Sequence, residues 1–233
     1  MNETNLDQIK TTARALLYLE PEPVLAVPTL VSHPFFSSQF FPYEENNETI
    51  FLDILKKEDF TKARGLLSEE IDTAESVFKI LMLINVPYYP AFLKYTYNDM
   101  NLQDMSKVLR MVWTETEFPN HDANLSKTEF IKLFKAADKK ILMDKQEFNL
   151  FSQFPKTVKV YRGTKSEDYK ALSWTLNKQK AVWFSERFLT GNEKGAVYEA
   201  EIDRDYILAY FNGRNEKEVV LDYKKLKNID KIK

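Results

Sequence analysis

The chain contains no cysteine and only two histidines, His33 and His121. Those absences exclude a disulfide framework, a thiolate zinc site and a cysteine nucleophile, and they leave two positions for imidazole chemistry. No metal site is expected. A long apolar run is missing as well. The strongest, residues 77–86, includes Lys79 and Asn85 and is about half the length that a bilayer span requires. The N-terminus has no basic segment leading into an apolar stretch, so a cytoplasmic location without membrane binding is expected. Glycine is scarce too. Four of the five, Gly163, Gly191, Gly195 and Gly213, fall in the last third, where turns between strands would need them.

What the chain does have is an ordinary apolar content of 44% over 233 residues, enough for one large domain or two small ones. Its net charge of −2 conceals an asymmetry: residues 1–150 hold 16 basic against 23 acidic residues, a balance of −7, and residues 151–233 hold 17 against 12, or +5. A local positive balance suits an anionic small molecule. General nucleic-acid binders carry a larger and more clustered excess, so direct nucleic-acid binding is not expected. A lysine-rich tail, with Lys224, Lys225, Lys227, Lys231 and Lys233, accounts for much of the excess equally well.

Periodicity predicts helices first and strands later. Over residues 2–20, Leu6, Ile9, Ala13, Leu16 and Leu17 keep helical spacing until Pro21 and Pro23 stop it. Residues 28–43, with Phe35, Phe36, Phe40 and Phe41, follow neither period and read as an aromatic-anchored loop. Amphipathic helices are predicted over 50–57, 60–67, 73–84, 88–97 and 102–117, which makes this half all-helical. A polar stretch at 119–124 then precedes Ser126 and Glu129, a capping-box pattern. A boundary near residue 122 follows, with a helical domain over 1–122 and a second domain over 123–233. After a helix over 146–151, strand period takes over at 157–161, with a short extended piece at 171–175. Asn177 opens a helix presenting Ala181, Val182, Phe184, Ser185 and Phe188, and strands follow at 195–202, 206–211 and 218–221. The second domain is thus α+β.

Three segments put polar groups at the ends of otherwise apolar strands: Val160-Tyr161-Arg162-Gly163, Leu172-Ser173-Trp174-Thr175, and Glu216-Lys217-Glu218-Val219-Val220. In this order they resemble the arginine, serine and glutamate signature of the R-S-E class of ADP-ribosyltransferases. The resemblance covers roughly residues 126–233, and it is nearest to small phage-encoded transferases, some of them anti-CRISPR proteins, with Ser-Trp-Thr in the second motif. It implies a mixed or antiparallel split β-sandwich, NAD as the ADP-ribose donor, a protein acceptor and mono-ADP-ribosyltransferase activity. It casts Glu218 as the catalytic glutamate, Glu216 as the acid that positions or deprotonates the acceptor, and Ser173 as the hydroxyl beside them. Arg162 would hold the pyrophosphate, with Tyr161, Gly163, Thr175, Trp174 and Phe184 around the dinucleotide. The family's Ser-Thr-Ser is Ser-Trp-Thr here, which keeps the first and third hydroxyls.

The same residues can be read without that resemblance. A guanidinium offers a planar fork of donors for phosphate oxygens, and a neighbouring glycine lets a ligand come close to the backbone; a surface ion pair is the alternative. Ser173 and Thr175 share one face of a strand while Trp174 points the other way. Glu216 and Glu218, also two apart, are expected on one side as the strand begins. Two carboxylates there can stabilise an oxocarbenium-like sugar, or simply form a charged turn. The helical half carries no assignable motif, and target recognition or a lid over the cleft are its expected roles. Two other functions stay open: hydrolysis of NAD with water as acceptor, and a non-catalytic module that blocks a partner by binding. Dehydrogenase use of NAD is disfavoured, because no Gly-x-Gly-x-x-Gly follows a strand.

Overall fold

The structure is a computed structural model that describes residues 3–165, 168–187, 189–191 and 193–233; Phe188, expected on a helix face, lies outside them. The chain divides into two compact units, one ending at Glu117 and the other beginning at Phe118. Among the described residues, no helix is long and apolar enough to cross a membrane.

The first unit opens with α1 (Leu6–Leu17), whose N-terminus is capped by the Asn5 side chain and which buries Ile9, Ala13 and Leu17. Two small antiparallel sheets come next, β1 (Glu22–Pro23) with β2 (Val31–Ser32), and β3 (Phe40–Glu45) with β4 (Glu48–Asp53). This half is therefore not all-helical, and residues 50–57 are not one helix. The β3–β4 hairpin closes at Asn46 and Asn47, both with positive φ (55° and 63°), the backbone that a two-residue turn needs to match strand twist. Four helices complete the unit: α2 (Lys57–Thr73), α3 (Val77–Leu83), α4 (Tyr89–Thr96) and α5 (Leu102–Glu115). The aromatic segment supplies core, with Phe35 and Phe36 buried and Phe36 5.7 Å from Phe60, although Phe40 is exposed.

The second unit starts with three short helices, α6 (Lys127–Ala136), α7 (Lys139–Leu142) and α8 (Lys145–Ser152). Capping boxes open α6 at Ser126–Glu129 and α8 at Asp144–Glu147. A six-stranded sheet follows, built from β5 (Thr157–Thr164), β6 (Ser173–Thr175), β7 (Ala196–Asp203), β8 (Ile207–Phe211), β9 (Glu218–Leu221) and β10 (Lys227–Lys231), with helix α9 (Lys178–Glu186) between β6 and β7. The order is β10-β7-β5-β6-β9-β8, with every pairing antiparallel. The α6–α8 helices pack on the fully buried strand β8; Lys139 Nζ ties α7 to it by donating to the Ile207 carbonyl at 2.9 Å.

The centre of this sheet is its thinnest seam. Strands β5 and β7 are joined by eight consecutive residue pairs, whereas β5 and β6 share one, Tyr161 with Thr175. On one side of β5, helix α9 lies so close that a Cβ on Gly163 would sit 1.7 Å from the Ala181 carbonyl oxygen, and one on Gly195 1.7 Å from that of Ser185. These two glycines admit the backbone of α9. The expectation that Gly163 makes room for a ligand is corrected accordingly: its open side is filled by helix.

Candidate active site

Arg162 and Ser173 are 11 positions apart in the sequence, and Ser173 and Glu218 are 45 apart. Adjacency of β5, β6 and β9 brings the three together. Glu218 is the first residue of β9, and Thr175 stands opposite it in the register, with Ser173 opposite Val220. Side chains of paired antiparallel residues project from the same face, so Ser173, Thr175 and Glu218 share one face and Trp174 takes the other. Ser173 Oγ donates to Glu218 Oε1 at 2.6 Å, a short bond of the charge-assisted kind.

Arg162 is out of phase with Tyr161, the residue paired to β6, and it reaches the second strand through the main chain. Its Nη1 donates to the Ser173 carbonyl at 2.7 Å. The Nε–H is shielded from solvent and has no hydrogen-bond partner among the described residues. Burial lowers the Arg162 pKa to about 10, against the opposing pull of the Asp168 and Glu218 carboxylates. The group therefore stays a cation at neutral pH, desolvated and with a donor to spare. An unsatisfied buried donor costs roughly 1–3 kcal/mol.

The remaining expected residues divide. Thr175 is 4% exposed; its Oγ1 donates to the Glu216 carbonyl at 2.6 Å and accepts from the Asn177 amide at 3.0 Å. Its hydroxyl holds the chain ahead of Glu218. Trp174 is 2% exposed and its indole N–H donates to the Ala171 carbonyl at 3.0 Å. That residue is core, which corrects its placement at the dinucleotide. Tyr161 stands opposite Glu199 and helps to hold that carboxylate below its usual range, after the larger effect of Lys159. Phe184 is half-buried on α9, edge-on to Trp183 at 5.0 Å, and Trp183 is 49% exposed.

Glu216 needs a different correction. It precedes β9, and Lys217 between the two glutamates has φ 48°, in the left-handed region. Strand alternation therefore does not put Glu216 and Glu218 on one side. The Glu216 carboxylate, half-buried, makes no hydrogen bond or ion pair among the described residues, and it is the main-chain oxygen that is held.

Three residues at this site are not legible as motifs. Asn120, from the polar stretch, accepts the Leu172 amide at 2.7 Å and fixes the entry to β6. Asp168 contributes negative charge near Arg162. Glu147, expected only as part of a helix, accepts the Asn212 amide at 2.9 Å. Each acts across more than 40 residues of chain or from within a loop, where no local spacing marks it. A separate hollow lined by Lys139, Phe151, Ser152, Arg204 and Asp205 contains none of these residues. Compared with known proteins, no family model, no curated protein and no solved structure matches the chain.

Proposed function

We propose that this chain is an NAD-dependent mono-ADP-ribosyltransferase acting on a protein, with the second unit as its catalytic domain and the split β-sandwich of that family as its fold. The observation that carries the reading is the convergence of Arg162, Ser173 and Glu218 through bonds of 2.7 and 2.6 Å. A random trio of polar residues on three strands has no reason to join in a chain of guanidinium, serine and carboxylate. The thin seam between β5 and β6 is in keeping with a sheet split into two halves.

In this reading the Arg162 cation holds the diphosphate, whose oxygens match its fork and supply the acceptor that Nε lacks. The C1′–N bond to nicotinamide then breaks, its electron pair leaves with the base, and positive charge develops on the ribose. Glu218, oriented by the Ser173 hydroxyl, accepts a ribose hydroxyl and stabilises that charge more in the transition state than in the ground state. A nucleophile from the acceptor donates the new pair to C1′ and loses its proton. Glu216 is the residue offered for that proton.

The left-handed Lys217 favours keeping a second reading, hydrolysis with water as the acceptor, because the carboxylate meant to meet a protein acceptor is not aligned with Glu218 by the strand. Incubating purified protein with NAD labelled in the adenylate, in the presence of host lysate, separates the two. Transfer predicts label covalently on protein; hydrolysis predicts free labelled ADP-ribose; intact NAD after prolonged incubation removes both and leaves a binding module.

A further inference from the structure

The segment 212–217 between β8 and β9 delivers Glu218 to the site, and its shape is costly on its own. Asn215 and Lys217 both have positive φ, 53° and 48°. Asparagine tolerates that region, but lysine there costs on the order of 1 kcal/mol. Several bonds hold the segment. Asn215 N donates to the Asn212 carbonyl at 2.9 Å and Leu176 N to the Lys217 carbonyl at 3.1 Å. Thr175 Oγ1 donates to the Glu216 carbonyl, and Lys217 N donates to Asn212 Oδ1 at 3.1 Å.

Asn212 is itself pinned. Its amide donates to Glu147 Oε1 at 2.9 Å, while Glu147 Oε2 accepts the Asp144 amide at 2.9 Å. One carboxylate thus bridges the start of α8 and the start of the segment. Capping alone does not require this. The Ser126–Glu129 box on α6 is made with a glutamate that is only half-buried. Glu147 is 3% exposed, and burying a carboxylate is expensive unless its oxygens are satisfied. The second oxygen goes to Asn212.

We infer that Asn212, braced by Glu147, is a positioning residue: its side-chain oxygen locks Lys217 in the left-handed conformation and so fixes where the Glu218 carboxylate meets Ser173. This deepens the transferase reading and rests on it. Arg162 is held from β6 and not by this brace, so the brace acts on bond breaking and not on dinucleotide binding.

The test measures nicotinamide release from NAD, with kcat and KM determined separately, for the full chain. N212A removes the acceptor for Lys217 N–H and is expected to lower kcat about tenfold, with KM for NAD within about twofold of wild type. N212D restores the acceptor and is expected to recover kcat to within about threefold. E147Q keeps the volume but has one carbonyl oxygen for two amides, and it is expected to lower kcat about threefold or more at unchanged KM. Should N212A not fold, E147Q decides. Unchanged kcat in whichever of these variants folds, a rise in KM in place of a fall in kcat, or no recovery in N212D overturns the brace. A wild-type chain that releases no nicotinamide overturns the transferase reading instead.

Discussion

Two titratable groups, one in each unit, have their pKa lowered by burial, and they are treated in opposite ways. In the first, His33 lies 4.9 Å from Phe36 and 5.8 Å from Phe60. Its Nδ1 accepts the Phe35 amide at 3.1 Å, which leaves Nε2 to donate to the Leu19 carbonyl at 3.0 Å. Both ring nitrogens are used, the neutral form is fixed, and burial lowers the pKa from 6.5. In the second, burial lowers the Arg162 pKa too, but the group retains its charge and an Nε–H with no acceptor among the described residues. A fully satisfied buried group is packing; a buried cation with an unused donor calls for its own physical account.

That contrast can be broken or sharpened in four ways. The largest effect is expected from E218Q, which keeps the shape but removes the charge that answers the developing cation. Nicotinamide release should fall by about 10²–10³-fold or more while the thermal melt stays put, and retained turnover would remove the mechanism. Gly163→Ala comes next: its methyl group meets the Ala181 carbonyl of α9, which cannot step aside like a side chain. A loss of about 3 kcal/mol is expected from urea unfolding, and an unperturbed midpoint would mean that α9 sits elsewhere. R162A should weaken NAD binding by about 1.5–3 kcal/mol, since it removes a hydrogen bond to a charged partner. Calorimetric titration of NAD into the inactive E218Q background measures it directly, and equal affinity with and without the guanidinium would assign Arg162 to structure.

The smallest effect belongs to His33 and is a matter of slope. Its folded pKa lies below the unfolded value, so the unfolded chain takes up the proton first as pH falls. The stability contributed by neutral His33 is complete above about pH 6.5, declines as pH drops from there to the lowered folded value, and levels off below it. Comparing wild type with H33Q in urea at pH 7.5 and 5.0, the wild type should lose more stability on acidification. Parallel losses would show that the ring is not the group responsible.

The helices were legible wherever one face alone is buried. On α5, Met105, Val108, Leu109 and Val112 keep helical spacing and all four are core. The β3–β4 hairpin was not legible because it buries almost nothing but Leu52, so no alternation of apolar residues advertises it. Its signal lies in Asn46-Asn47, a pair suited to positive φ. Strand β10 fails for the same reason, being almost wholly exposed and rich in lysine and aspartate. At the candidate site, Ser173 and Glu218 stand out because each begins a strand, and Arg162 because it precedes a glycine near the end of one. The two-residue spacing of Glu216 misled, since spacing implies a shared face only where the backbone is extended, and Lys217 is not.

The lone pair of residues joining β5 to β6 has one more consequence. A complete ladder would hand the outward carbonyl of Ser173 to an amide of the neighbouring strand, and a guanidinium would find it taken. Because the rungs stop at Tyr161 and Thr175, that oxygen is left over for Arg162. An unfinished sheet thus furnishes an attachment point that a perfect one would have used up.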